Sequence, residues 1–368
     1  MTKPKKRYII PLAVILLMVI LNIAARASRS FSDFYVLKIF PFITNSLSFI
    51  SGLFPFSVGE IMIILAILLI FIGVPLTVIL IIFAKKIRRK TAGIFSVVSL
   101  WILAFVTATE TLNCFIMYQC TPFSERYLTA GEHPRSELIQ LYSDLIDEAN
   151  ELSVQVPRDK DNRFYVTADV DEEARKAMKK AAEQFPQLSG YYPKAKPVLF
   201  SYFMSQSNLS GIYFPFSLEA NYNDDMVKTN LPDTICHEYA HLKGIIQEDE
   251  ANFISYIATT GSDNVEFRYS GCLSALEYVH NEIYNSKITE AYYLSDNISD
   301  NVRRDWFRFM PDNYWEDNKK KEIISTETVS VISDTAIDTN IKMNGREEGI
   351  DTYSKMVNLL LDYYFPSE

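Results

Sequence analysis

The chain has 368 residues, of which 48% are hydrophobic, and a formal net charge of −9 at pH 7. Its length admits two or three modest domains, and the acidic balance argues against nucleic acid as a partner. Four cysteines are too few for a disulfide scaffold; Cys114 and Cys120 lie close enough in sequence to pair in an oxidising compartment, or to remain thiols.

The apolar residues crowd the front of the chain. Tyr8 to Ala24, Ile61 to Ala84 and about Ala92 to Tyr118 are each long and apolar enough to cross about 30 Å of hydrocarbon as a helix. Glu110 and Asn113 suggest that the third of these leaves the bilayer near its end. A secretory leader is the alternative for the first run, but it has no convincing cleavage site and two more spans follow. Basic clusters at Lys3, Lys5, Lys6 and Arg7 and at Lys85, Lys86, Arg88, Arg89 and Lys90 should both face the cytoplasm, so an even number of crossings must separate them. The segment Phe34 to Phe56, with Lys38, two prolines and Gly52, is therefore expected to be re-entrant or interfacial. This gives a membrane domain over residues 1–118 and an extracytoplasmic domain over residues 119–368 in a multi-pass protein of the cell membrane.

The second domain opens with helical spacing over Ser136 to Leu152 and again over Glu172 to Phe185. Val198 to Phe200 predicts a short strand, and Gly211 to Asn221 alternates around Ile212, Phe214 and Phe216. Pro215 cannot donate to a ladder, which places this second strand at a sheet edge. Helices are predicted from Asp233 to about Lys243, Gln247 to about Thr260 and Ser270 to about Ser286. Residues 316–350 are polar and predict loops with one marginal helix, and Tyr353 to Tyr364 closes the chain as an amphipathic helix with Met356, Leu359 and Leu360 in its stripe. The fold class expected is α+β, mostly helical, with a small sheet whose edge strand flanks the helix described next.

That helix reads Leu231-Pro-Asp-Thr-Ile-Cys-His237-Glu238-Tyr-Ala-His241-Leu-Lys-Gly244. Asp233 or Thr234 can cap its start, Ile235, Tyr239 and Leu242 form one apolar face, and Gly244 suits a left-handed stop. Histidines four apart project from one face, near enough for both imidazoles to bind one tetrahedral zinc, and Glu238 beside them can reach a water in the remaining position. With only four histidines in the chain, a chance His-Glu-x-x-His is rare, on the order of one in a hundred. A catalytic zinc needs a third protein ligand, and carboxylates follow at once in Gln247-Glu248-Asp249-Glu250-Ala251-Asn252-Phe253. His133 and His280 stand in less suitable contexts.

At these residues the chain resembles the zincin superfamily, within it the branch whose third ligand is a glutamate on a helix bearing Glu-x-x-Ala-Asp or Glu-x-x-Ala-Asn. The resemblance implies Glu248 as that ligand, with Asn252 one turn later and Glu250 as the runner-up. The interval from His241 to Glu248 is shorter than in better-known members, and Gly244 can turn the chain at once. Over nearly the whole length, the spans, Gly211 to Asn221, the histidine helix, Glu248 to Phe253 and Phe267-Arg-Tyr-Ser-Gly271 resemble a bacterial membrane family catalogued as domain of unknown function 3810. That resemblance implies a zincin-like fold in a bacterial cell membrane and supplies no substrate.

The expected chemistry is peptide hydrolysis with Zn2+, Glu238 acting as general base and the edge strand pairing with an extended peptide or protein substrate. An oxyanion-stabilising side chain is expected too, but 22 tyrosines offer no choice among them. Three alternatives carry the same residues, an inert membrane scaffold with a relict site and two more. One is a peptidase facing the cytoplasm, which requires Phe34 to Phe56 to span; the other is a membrane sensor or binding protein that uses the fold without general proteolysis.

Overall fold

The computed structural model describes residues 6–343 and 355–366, and its chain divides into two compact units. The first unit comprises residues 1–120 together with 214–219, and the second comprises 121–213 and 220–368. Lys3, Lys5, residues 344–350 of the polar stretch and the first two residues of the predicted closing helix lie outside the described residues.

In the first unit four helices are long and apolar enough to cross a membrane: Lys6–Ala27, Arg29–Gly52, Val58–Phe83 and Arg88–Gln119. Their leucines, isoleucines and phenylalanines are largely exposed, Phe71 at 73% and Phe83 at 77%, as befits helices whose solvent is lipid. Arg29–Gly52 covers most of the segment predicted to be re-entrant. Its Lys38 lies in a π-helical turn, Tyr35–Ile39, and its Pro41 sits in the first turn of the α-helix Phe40–Gly52, where a missing N–H costs nothing. The fourth helix runs past Glu110 and Asn113 through another π-helical turn, Thr111–Phe115. Cys114 and Cys120 are both buried, and no disulfide joins them.

The second unit is mostly helical around a three-stranded sheet. Arg135–Ser153 buries Leu138, Leu141, Leu145 and Ile146, as their spacing predicts. Val170–Gln184 starts where the Asp169 carboxylate accepts from the Glu172 N–H at 3.1 Å. Strands β1 (Lys196–Val198), β2 (Gly211–Phe214) and β3 (Glu219–Asn223) lie in the order β1-β3-β2, with β1 parallel to β3 and Lys196 opposite Asn221.

Gly211 to Asn221 is thus two strands rather than the single one predicted. Pro215 lies in the turn between them, where the Phe214 carbonyl accepts from the N–H groups of Ser217 at 3.2 Å and Leu218 at 2.9 Å. β2 is still at the sheet edge, on account of strand order and not of the proline.

Three helices make the core of this unit: Leu231–His241, Glu248–Thr260 and Val265–Asn285. Asp233 does not cap the first of them, which begins two residues earlier at Leu231 with Pro232 in its first turn. Its carboxylate instead accepts from the Ser255 hydroxyl on the second helix and from the Ser274 hydroxyl, at 3.0 Å, on the third. Gly244 ends the first helix at φ 80°, the left-handed conformation expected there. Thr326–Met343 supplies the helix expected in the polar stretch, and Lys355–Tyr364 buries Met356, Leu359 and Leu360.

Candidate metal centre

Two turns of the helix Leu231–His241 and the first turn of Glu248–Thr260 bring three side chains together. His237 Nε2 lies 3.1 Å from His241 Nε2 and 3.1 Å from Glu248 Oε2, and His241 Nε2 lies 3.8 Å from Glu248 Oε1. A tetrahedral ion about 2 Å from each donor requires donors roughly 3.3 Å apart, and these separations bracket that value. Among the described residues this is the one group of three or more such side chains able to hold a metal ion.

The outer nitrogens fix how the rings face. His237 Nδ1 donates to the Asn252 amide oxygen at 2.7 Å, and His241 Nδ1 donates to the Ile245 carbonyl at 2.7 Å. Both acceptors lack a proton to give, so each ring keeps a proton on Nδ1 and turns its Nε2 inward. Ile245 is placed to do this by the turn at Gly244. Asn252 stands one helical turn beyond Glu248, so the side chain holding one ligand and the third ligand itself share a helix face.

Burial opposes charge at all three groups, yet their mutual interactions split them. At Glu248 the two imidazoles outweigh burial and hold the carboxyl down at about 2. At His237 burial is outweighed by Glu248, Glu238 and Asp233, which push the ring up to about 9. Burial wins at His241, pulling it down to about 4. With no ion present, positive charge thus rests on His237, beside an ionised Glu248 and a neutral His241.

Glu238, one residue along from His237, is 4% exposed. The Tyr213 N–H of β2 donates to its carboxylate, while Oε2 is buried with no hydrogen-bond partner in the structure. An orphaned buried carboxylate oxygen is costly unless a further group meets it. Burial and the charge of Glu248 raise this carboxyl to about 8, against the pull of His237. β2 approaches so closely that a Cβ on residue 211 would lie 2.4 Å from Glu238 Oε1, which only glycine avoids. The donor set, the inward Nε2 atoms and the unmet oxygen beside them fit a metal ion such as zinc.

The remaining candidates lie elsewhere. Glu250 accepts from the N–H groups of Phe123, at 2.9 Å, and Ser124, at 2.8 Å, and from the Ser124 hydroxyl, so its carboxylate serves the short helix Phe123–Tyr127. His133 bonds Glu137 and Asp362, and His280 bonds the Tyr142 hydroxyl within an aromatic cluster that includes Trp306. Gly211 and Tyr213 could not be singled out beforehand, because what makes them matter is a close approach between segments distant in sequence. A glycine opening an alternating run was the only available signal.

No curated protein and no solved structure matches this chain. Residues 35–361 match the family model described as protein of unknown function (DUF3810), and with most of its length covered the chain belongs to that family.

Proposed function

We propose that this chain is a membrane-anchored zinc metallopeptidase. The observation that carries the reading is the conjunction of two inward-facing imidazoles and Glu248 with the buried, unpartnered Oε2 of Glu238. A zinc ion held by His237, His241 and Glu248 supplies Lewis acidity to a scissile carbonyl and lowers the pKa of a water to roughly 7.

The chain's own residues do the rest. Glu238, in its ionised form, takes the proton of the attacking water on Oε2 and delivers it to the leaving amine. Asn252 and the Ile245 carbonyl keep the two rings from rotating, so no reorganisation is needed as charge develops. β2, at the sheet edge and touching Glu238, offers backbone groups to an extended peptide and aligns its carbonyl over the centre.

Glu238→Gln in the full chain, purified from membranes, tests this. One zinc per chain and captured but uncleaved peptide are expected, against cleavage by the parent. A variant that keeps full biological function would instead mark the protein as a binder or sensor, and absence of zinc from the parent would end the proposal.

A further inference from the structure

The turn between β2 and β3 is held far more firmly than a surface turn needs. Residues 214–219 belong to the first unit, and two of its helices, Val58–Phe83 and Arg88–Gln119, grip them. Glu219, 1% exposed, accepts from the N–H groups of Val58 at 3.1 Å and Gly59 at 2.8 Å, the first two of the helix Val58–Leu68, and from the Ser217 hydroxyl at 2.6 Å. The Ser57 hydroxyl takes the next N–H, that of Glu60, at 3.0 Å. A buried carboxylate thus meets the positive end of a helix dipole and satisfies two donors that the helix leaves open. The Phe214 ring packs on Gly59, the Asn113 amide donates to the Pro215 carbonyl at 2.7 Å, and Phe216 packs on Phe105 with ring centroids 6.0 Å apart.

β2, which leads into this turn, carries the contacts that border the candidate base. Gly211 and the Tyr213 N–H, both on β2, lie against Glu238 within the second unit. Between Tyr213 and the gripped turn there is no intervening residue.

We infer that Glu219 is a positioning residue: by clasping the β2–β3 turn to the amino end of the helix Val58–Leu68, it fixes the order of β2, the strand whose preceding residues border Glu238. A simple cap would stabilise that helix and leave the strand indifferent. A clasp makes the strand's order depend on Glu219.

Where turnover is read, the inference rests on the peptidase reading; where strand order is read, it does not. The full chain in lipid nanodiscs, parent against Glu219→Gln, is followed by amide hydrogen exchange. Glutamine keeps the shape but turns an N–H toward an N–H, so exchange over residues 211–223 should quicken by about tenfold or more. Residues 231–260 should be unchanged and bound zinc kept. Peptide cleavage should show a raised KM, and Glu219→Asp should recover part of it. Ser217→Ala, which removes one donor to Glu219, should act in the same segment and more weakly, and it serves if the glutamine variant does not fold. Unchanged exchange over residues 211–223, or an increase spread evenly through the second unit, overturns the inference. Faster strand exchange in the variant beside a parent that cleaves nothing keeps the clasp and removes the peptidase; normal cleavage by the parent with unaltered exchange in the variant does the reverse.

Discussion

Asn252 and His237 are joined by a 2.7 Å hydrogen bond from the imidazole Nδ1 to the amide oxygen, and this one contact decides which nitrogen faces the centre. Because Asn252 lies four residues beyond Glu248, the helix that brings the candidate third ligand also orients the candidate first.

Asn252→Ala should therefore weaken zinc binding by about 10- to 100-fold without unfolding the domain. Asn252→Asp should restore it, since a carboxylate accepts from the same nitrogen. Competition against a calibrated chelator measures both. Equal affinities in parent and alanine variant would show that the ring is held by its packing alone.

Gly211→Ala should separate binding from chemistry. The added methyl would sit 2.4 Å from Glu238 Oε1, so the base or the strand must shift, while the three ligands are untouched. A loss of about a hundredfold in kcat with full zinc content is expected, as for a displacement of about 1 Å in a reacting group. Metal analysis beside steady-state cleavage reads the two quantities.

Glu277 gives a pH signature that is independent of metal. Burial, with a contribution from Asp233, raises its carboxyl from 4.5 to about 7 in the folded chain. At pH values well below 4.5 both states carry the proton; between 4.5 and about 7 the unfolded chain ionises first, so this residue subtracts stability as pH rises and levels off above about 7. Glu277→Gln should leave thermal unfolding unchanged in acid and raise stability by about 1–3 kcal/mol at pH 8, allowing for partial solvent access. Equal gains at both pH values would assign the effect to something other than ionisation.

Membrane topology is open to direct labelling. Basic residues Lys85, Lys86, Arg88, Arg89 and Lys90 stand before the last of the four apolar helices, and a cytoplasmic position for them leaves the second unit outside. In intact cells an impermeant thiol reagent should modify Lys320→Cys and spare Lys86→Cys. The opposite pattern would show that Arg29–Gly52 spans and the second unit faces inward.

Much of this architecture is legible from residue spacing. The helices around Leu141 and Ala174 announce themselves because their apolar positions recur at helical period and pack within one unit. His237, Glu238 and His241 are legible because their chemistry depends on spacing along a single helix. The run from Gly211 to Asn221 is not. Ile212, Phe214 and Phe216 alternate as a strand would, but the rings of Phe214 and Phe216 meet at a tilt, centroids 5.2 Å apart, and turn to Gly59 and Phe105, more than a hundred residues back. Alternation cannot tell a core-facing ring from one bound for another unit. Asp233 misleads similarly: an acid in a first turn suggests a cap, and only the arrival of Ser255 and Ser274 reveals an internal brace.

Of the three ligand side chains, the histidines are nearly closed off, at 15% and 6% exposure, whereas Glu248 is 45% exposed. In the proposed zinc centre the path of the ion then runs past the carboxylate, the most exposed of the three. Chelators should act by catching the ion as that arm opens, so the dissociation rate would follow the rotamer freedom of Glu248, while the imidazole pair keeps its shape ready for reloading.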